Sequence, residues 1–327
     1  MRAGCVGVQK TLLVTRSAFA KISGSAPNVT VPFRGSSDRH GSTMSVEALT
    51  RSPAMLRWDS ISKWGRRASD LGATPPISPT RDLMLEAAIA HEQVDLRFQP
   101  IFDAVTGKIV GAEALARSGI ARDAESLFAR ANSAALGERL SRLIQRKALR
   151  CASVWEGPLK NLGISINLLP ADISRDGYDC WLAEEIAAAG IDPARITLEI
   201  TETALLADRE IVAGRLNSMR ETGLKIAVDD FGTGYASFAY LTSLPLDTLK
   251  IDRGLVADIG RHDRDRIVVS GMIRLAHELG LKVVVEGVET EDQLALLKHW
   301  ECDFYQGFLG SPPLSHEELS RFAALAA

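Results

Sequence analysis

Two adjacent aspartates, Asp229 and Asp230, follow the apolar run 224–228 and precede a loop that contains Gly232 and Gly234. Side chains alternate along a strand, so the two carboxylates would point to opposite faces if the strand continued. Both can serve one site only if the strand stops at the aspartates and the glycines let the chain turn away. The alternative is a helix N-cap, a position where Asp is common. Taken alone, this stretch favours the cap.

Other polar side chains stand in comparable places, at or near the C-terminal ends of short apolar runs. They are Glu113, Asn167, Glu199 with Glu202 three residues on, Lys250, Asp252, Glu286 and Gln306. Helix capping explains one such residue, but it does not explain one at nearly every run, and Lys and Gln are not preferred caps. The carboxyl ends of the strands form the active face of an α/β barrel, so we expect these side chains to converge.

Converging carboxylates need a counter-charge. Two like charges at ~4 Å repel by roughly 4 kcal/mol near a protein surface, and Lys250 and Arg117 are too few to balance five or six acids. Oxygen ligands without Cys or His select a hard divalent ion, Mg²⁺ or Mn²⁺, over zinc. Asp229 could bridge two ions, an arrangement that suits in-line attack on a phosphodiester. The paired aspartates are therefore predicted to be metal ligands.

Short apolar runs alternate with helical patterns from about residue 80 onward. The predicted strands are 95–103, 108–115, 163–168, 196–201, 225–230, 248–252, 282–288 and 303–307. A first helix is predicted to begin near Thr80, with apolar spacing at Leu85, Ala88 and Ile89. Eight strands alternating with helices over residues 81–327 predict an α/β fold, a (β/α)8 TIM-like barrel. A doubly wound open sheet is the alternative.

Residues 1–80 have a different composition, with 11 Lys and Arg against 4 Asp and Glu. They are rich in Ser, Gly and Thr and show little periodicity, which predicts a weakly ordered basic extension and linker before the barrel. Met44 is an alternative start. The acidic remainder, residues 81–327, is a poor candidate for nucleic-acid binding.

The spacing of the cysteines and the hydropathy of the chain indicate the cellular compartment. The four cysteines, Cys5, Cys151, Cys180 and Cys302, are far apart and form no Cys-x-x-Cys pair, which is typical of reduced, mostly buried thiols in a cytoplasmic protein. No apolar run approaches the ~20 residues that cross a bilayer, and no secretory signal is predicted.

The residues Glu113-Ala114-Leu115, followed by Arg117, resemble the signature of the EAL-domain cyclic di-GMP phosphodiesterases. The family's other blocks are resembled, in order, by SINLLP (165–170), LEITET (198–203), DDFGTGYAS (229–237), DTLKIDR (247–253), VVEGVET (284–290) and YQGFL (305–309). The resemblance covers roughly residues 82–320. It implies an EAL-type barrel that opens cyclic di-GMP to linear pGpG, with water activated by two Mg²⁺ or Mn²⁺ ions attacking phosphorus.

The resemblance also implies roles for the matching positions. Glu113, Asn167, Glu199 and Asp229 would hold one ion, while Asp230 and Glu286 would serve the second ion and its catalytic water. Lys250 would orient that water, and Glu202 would brace loop 231–238, which in this family couples the site to a dimer interface. Arg117 would contact a substrate phosphate, with Gln99 and Gln306 also near the substrate. The resemblance further implies a homodimer in the cytoplasm, and it is compatible with a regulatory protein partner.

Two departures from the family pattern keep other functions open. Ser118-Gly119 replaces the tryptophan that usually follows the signature arginine, and LGSPPL (309–314) replaces the usual S-K-P-L. Both touch the rim around the guanine bases and not the metal ligands. The alternatives are a catalytically inactive cyclic di-GMP receptor or protein-interaction module, and a phosphodiesterase for another nucleotide. Degenerate members typically lose a metal ligand or the lysine, and these positions are all filled here, which favours the enzyme.

Overall fold

The computed structural model describes residues 81–201, 209–232 and 239–326. The predicted extension over residues 1–80 lies outside these ranges, and so do Glu202 and most of loop 231–238.

Eight strands in the described residues close into a barrel with the order β1 to β8. They are β1 (Asp95–Asp103), β2 (Ile109–Arg117), β3 (Gly163–Leu168), β4 (Ile196–Thr201), β5 (Lys225–Phe231), β6 (Thr248–Ile251), β7 (Lys282–Val285) and β8 (Phe304–Tyr305). The predicted barrel is confirmed, and the doubly wound open sheet was the wrong alternative.

Helices surround the barrel. They are α1 (Leu83–Ala90), α2 (Ala124–Ser133), α3 (Gly137–Ser153), α4 (Pro170–Ser174), α5 (Tyr178–Ala189), α6 (Arg209–Glu221), α7 (Ala239–Ser243), α8 (Arg253–Val256), α9 (Asp263–Glu278), α10 (Glu291–His299) and α11 (His316–Ala326). The predicted first helix is confirmed as α1: the Asp82 side chain caps it by accepting from Leu85 N at 3.0 Å, and Leu85, Ala88 and Ile89 are buried. None of the helices within the described ranges is long and apolar enough to cross a bilayer.

The first strand departs from the simple strand–helix alternation. Only the turn 104–108 joins β1 to β2, and Asp103 Oδ1 stabilises it by accepting from Val105 N and Thr106 N at 3.1 and 2.7 Å. So short a connection has no room for a crossover helix, so β1 must run antiparallel to β2. It also runs antiparallel to β8, while the other neighbouring strands are parallel. In this antiparallel register Gln99, in the middle of β1, pairs with Glu113 of β2.

Alternation along the parallel strands separates the core from the barrel interior. In β4, Ile196, Leu198 and Ile200 are buried in the main hydrophobic core, whereas Thr197 and Glu199 line the interior. The same alternation holds in β6, where Leu249 belongs to the core and Lys250 points inward. The hydrophobic core therefore lies between strands and helices, and polar side chains are left for the inside of the barrel.

Candidate active site

Lys250 lies at the centre of four carboxylates at the C-terminal mouth of the barrel. Its Nζ is 2.7 Å from Glu286 Oε1, 2.9 Å from Glu199 Oε2, 3.0 Å from Asp229 Oδ1 and 3.5 Å from Glu113 Oε2. Lys250 and Glu199 are each only 1% exposed. One ammonium cannot balance four ionised carboxylates, and burying the excess negative charge is costly unless protons or a further cation neutralise it.

Each of these side chains comes from a different strand. Glu113 lies on β2, Glu199 on β4, Asp229 on β5 and Lys250 on β6, and Glu286 directly follows β7. Because parallel strands end at the same edge of the barrel, residues distant in sequence meet there. The structure thus brings five of the predicted site residues into direct contact.

The paired aspartates reach the site through a β-bulge. Val228 pairs with Leu249 and Phe231 pairs with Ile251, so Asp229 and Asp230 both lie opposite Lys250. Asp230 has a φ of 55°, an uncommon value outside glycine, and its N–H donates to Asp229 Oδ1 at 3.0 Å. The expectation that the strand stops at the aspartates was wrong, because β5 continues to Phe231 and the extra residue redirects the chain.

Amides fix the orientation of Glu113. Asn167 Nδ2 donates to Glu113 Oε1 at 3.1 Å, and Gln306 Nε2 donates to Glu113 Oε2 at 2.9 Å. Gln306 Nε2 also contacts Gln99 Oε1 at 3.2 Å. Its other amide atom, Gln306 Oε1, is buried with no hydrogen-bond partner among the described residues. A buried oxygen without a donor next to a carboxylate indicates a place for a further polar group.

Gln306 is held in place by the close approach of two chain segments. A Cβ added at Gly307 would lie 2.1 Å from Val288 O and 2.3 Å from Val288 N, both backbone atoms. Only glycine therefore lets the chain after β8 pass against Val288, where Val288 N donates to Gln306 O at 3.1 Å.

The site alters the pKa of its own groups. Burial alone would lower the pKa of Lys250, but the four surrounding carboxylates raise it well above its ordinary value. Burial raises the pKa of Glu199 well above the usual range and that of Glu286 to about 7, in both cases against the opposing effect of Lys250. Burial and the neighbouring Asp229 raise the pKa of Asp230. The mouth therefore keeps Lys250 charged, and it makes Glu199, Asp230 and Glu286 reluctant to ionise without another cation.

The donor set fits divalent metal ions. Carboxylate oxygens of Glu113, Glu199 and Asp229 all lie within 4.8 Å of one another, and so do those of Asp229, Asp230 and Glu286. Asp229 belongs to both groups, so it is placed to face two ions. The donors are all oxygens, which is the preference of Mg²⁺ and Mn²⁺. The buried acidic cluster and the free Gln306 oxygen both fit the predicted metal centre.

A cavity of about 410 Å³ opens above the carboxylates. Gln99 and Arg117, the predicted substrate contacts, line this cavity, and Arg117 Nη1 donates to Ala116 O at 2.8 Å. Sequence reasoning missed three further lining residues, Arg253, Glu289 and Phe308. Their short distance in sequence from predicted site residues could have identified them. Arg253 is three residues after Lys250, Glu289 is three after Glu286 and Phe308 is two after Gln306.

The structure does not place every predicted residue at the mouth. Asp252 caps α8 by accepting from Gly254 N at 2.8 Å, so for this residue the capping interpretation holds. Glu202 lies outside the described residues, and its predicted role in bracing the loop stays a prediction.

A buried polar network supports Asn167 from behind. Gln145 Nε2 donates to Asn167 O at 3.2 Å and to Asp172 Oδ2 at 3.3 Å. Asp172 is fully buried and also accepts from Ser141 Oγ at 2.5 Å and from Arg175 Nη1 at 2.7 Å. Nothing in a single sequence marked these residues, because they lie on the outer helices and in the loop after β3.

Comparison with known proteins agrees with the geometry. The EAL domain family model matches residues 82–313. Cyclic di-GMP phosphodiesterase NbdA of Pseudomonas aeruginosa is 33% identical over 256 residues, which cover 75% of this chain and 33% of NbdA. The chain spans less than half the length of the curated relatives it matches.

Solved structures give the same result. PaMucR phosphodiesterase, in complex with cyclic di-GMP, has a TM-score of 0.68 and 31% identity, with 72% of this chain and 97% of that chain covered. BlrP1 of Klebsiella pneumoniae, in a complex with manganese and cyclic di-GMP, has a TM-score of 0.63 and 31% identity, with coverage of 68% and 56%. With well over half of its length matched by the family model, and with a closed barrel that carries its acidic residues at the mouth, this chain belongs to the EAL domain family.

Proposed function

We propose that the chain hydrolyses one phosphodiester bond of cyclic di-GMP and releases linear pGpG, with the help of divalent metal ions. Family membership supports this activity, as do the names of the phosphodiesterase relatives and the cyclic di-GMP complexes of structural neighbours. The single observation that carries it is the buried set of four carboxylates around Lys250 at the barrel mouth.

Six side chains are proposed to hold the metal. Glu113, Asn167, Glu199 and Asp229 would bind one ion, and Asp230 and Glu286 would serve the second with Asp229 shared between them. When bound, such ions make water more acidic and stabilise the negative charge that develops on a phosphoryl group. Mg²⁺ and Mn²⁺ are the proposed ions because every donor is an oxygen.

Lys250 is proposed to hold the attacking water. Its ammonium stays protonated because four carboxylates raise its pKa, and an ammonium has three donors to share among neighbours. In the reaction it would donate to the water in place of one of these carboxylates, and its positive charge would favour the ionised form of the water. Glu286 is proposed to accept the proton, since its Oε1 lies 2.7 Å from Lys250 Nζ and so beside the water that Lys250 would hold.

Substrate contacts are proposed for residues at the rim. Arg117 would bind a phosphate, because a guanidinium recognises phosphate oxygens through paired donors. Gln99 and Gln306 would contact the substrate from the side of Glu113, where their amides already form a chain of hydrogen bonds. Ser118-Gly119 replaces the usual aromatic residue at this rim, so weaker substrate affinity is expected without a change in chemistry. Cytoplasmic location and a homodimer remain part of the proposal.

Turnover by the purified full chain tests this function. Cyclic di-GMP is incubated with Mg²⁺ or Mn²⁺, and pGpG is measured for wild type, Glu113→Ala and the control Glu317→Gln, which is exposed on α11. Wild type and control are expected to form pGpG, and Glu113→Ala is expected to lose at least about a hundredfold in rate.

If no pGpG is formed, measurements of cyclic di-GMP binding distinguish the possible reasons. Cyclic di-GMP bound without turnover would sink the enzyme and indicate a receptor. Neither binding nor turnover would indicate a protein-interaction module, and turnover of a linear dinucleotide alone would indicate another substrate.

A further inference from the structure

The N-terminal end of the barrel contains a second cavity, of about 540 Å³, on the opposite side of Lys250 and Glu199 from the catalytic mouth. TIM-barrel interiors are normally filled by layers of bulky branched side chains. Here small side chains line much of the wall: Gly111, Gly163, Ser165, Thr197, Ala227 and Thr248. A cavity therefore remains at the N-terminal end of the barrel, with the buried Lys250–Glu199 pair among its lining residues.

The strand register connects the two ends of the barrel. One row of paired inward residues runs through Glu113, Ser165, Thr197 and Lys225, and the next runs through Asn167, Glu199, Ala227, Thr248 and Lys282. Each row begins at the catalytic mouth and, because the strands are staggered, ends in a lysine at the opposite opening. The cavity thus has hydroxyl groups along its wall and ammonium groups at its rim.

The hydroxyls in the wall are not used by the protein. Ser165 is only 6% exposed, and the hydroxyls of Ser165, Thr197 and Thr248 make no hydrogen bond to any residue in the described ranges. None of these three oxygens is among the fully buried atoms that lack a partner in the described residues, so the hydroxyls face open space in the cavity. Three hydroxyls that face a space this large, among apolar side chains such as Ile101, Leu246 and Phe304, are placed to bind water or a polar group of a ligand.

The rim carries an excess of positive charge. Of its basic side chains, Arg220 is paired with Asp247 at 2.7 Å and Lys282 with Asp303 at 2.7 Å. Lys225 and Arg195 have no carboxylate within ion-pair distance in the part of the chain that the structure describes, and Lys225 is exposed. Arg195 Nε donates instead to a backbone carbonyl. An opening with cations in excess attracts anions.

We propose that this cavity is a binding site for a small phosphate monoester. The phosphate lies at the rim beside Lys225, and the short organic part extends inward among the hydroxyls of Thr197, Thr248 and Ser165. The volume is within the range of small-molecule sites. The site shares only the floor pair, Lys250 and Glu199, with the catalytic mouth, so binding here does not depend on the proposed hydrolysis.

Calorimetric titration of the full chain with glycerol 3-phosphate, and separately with inorganic phosphate, tests the site. EDTA is present to remove any metal that would bind phosphate at the catalytic mouth, and potassium chloride keeps the ionic strength constant. Saturable binding at one site is expected for glycerol 3-phosphate, more tightly than for inorganic phosphate. Lys225→Gln is expected to weaken it about tenfold, the loss of one hydrogen bond to a charged group.

Matched variants separate this site from nonspecific attraction. Thr197→Leu fills the cavity and is expected to abolish binding, with Thr248→Leu as a second filling variant if the first does not show a cooperative thermal unfolding transition. Lys298→Gln, an exposed lysine on α10, is the charge control and is expected to bind as wild type does. No saturable binding up to about 10 mM would overturn the proposal and leave a water-filled cavity. Equal affinity in wild type, Lys225→Gln and a folded filling variant would also overturn it.

Discussion

At the scale of single residues, the protonation of the carboxylates around Lys250 decides what the catalytic mouth can bind. Burial raises the pKa of Glu199 and Glu286, so these carboxyl groups bind protons near neutral pH when the site is free of metal. A metal ligand must be deprotonated, so each ion that binds competes with these protons. Metal affinity is therefore expected to rise with pH through the neutral range.

Glu286 makes the stability of the metal-free protein depend on pH. Its pKa is raised from 4.5 to about 7 by folding, so its protonated form stabilises the fold fully below pH 4.5, and this stabilisation is lost as pH rises through 7. The melting temperature in EDTA is expected to fall across this window. Differential scanning calorimetry of Glu286→Gln is expected to show a flatter fall, because the amide does not titrate.

Glu317→Gln serves as the control for this experiment and is expected to keep the full slope of wild type. A wild-type melting temperature that rises over the same window, or an equal slope in Glu286→Gln, would contradict the assignment.

At the scale of elements, the loop after β3 depends on one buried carboxylate. Asp172 at the third position of α4 joins α3, through Ser141 and Gln145, to the loop, through Leu169 N and Arg175. Gln145 in turn holds the carbonyl of Asn167. The position of a predicted metal ligand is thus set by a hydrogen-bond network on the helical layer.

Asp172→Ala is expected to destabilise the protein by about 3 kcal/mol, because it leaves buried donors and the Arg175 guanidinium without their partner. Urea unfolding followed by circular dichroism measures this loss. Glu184→Ala, an exposed change on α5, is expected to stay within about 0.5 kcal/mol of wild type. A loss for Asp172→Ala no larger than that of the control would show that the network is not stabilising.

At the scale of the whole molecule, α9 presents an apolar surface that the barrel does not cover. Ile267 is 70% exposed and Val268 is 46% exposed, and they are consecutive residues of α9. The EAL resemblance implies a homodimer, and adjacent exposed β-branched residues are suited to lie in such an interface. We propose that α9 contributes to the dimer contact.

Sedimentation velocity of the full chain tests this interface. Wild type is expected to sediment as a dimer and Ile267→Glu as a monomer, because the new charge would be buried without a partner. Val154→Glu places the same charge on another exposed apolar position, after α3, and is expected to remain dimeric. A monomeric wild type, or identical behaviour of the two variants, would contradict this role of α9.

Short apolar runs that alternate with helical patterns were sufficient to predict the eight strands, because strands of a mostly parallel barrel are covered by helices and are therefore rich in apolar residues. The predicted bounds of β1, β3 and β4 agree with the structure to the residue. β7 and β8 are shorter than predicted, since the chain after Val285 and Tyr305 leaves the ladder to shape the mouth. The apolar pattern alone does not indicate the residue at which strand pairing ends.

Other features of the site depend on pairing between distant segments and so had no local signal. The bulge at Asp229 and Asp230 arises from the register with β6, and Asp at a positive φ is not marked by its residue type. The reversed direction of β1 follows from the brevity of turn 104–108, which a single apolar pattern does not distinguish from a loop. Polar residues at strand ends were the informative signal because the barrel brings those ends together.

The number of paired residues differs between neighbouring strands around the barrel. β1 and β2 are joined by eight paired positions, whereas the seam between β1 and β8 has two, Phe102 with Tyr305 and Asp103 with Phe304, and β7 and β8 also pair at only two positions. Local opening is expected first where few backbone hydrogen bonds must break. That seam lies between Gln99 and Gln306, whose amides orient Glu113. Transient opening of this seam, measured as fast amide hydrogen exchange in β8, would therefore disassemble the first of the proposed metal sites while the other strands stay paired.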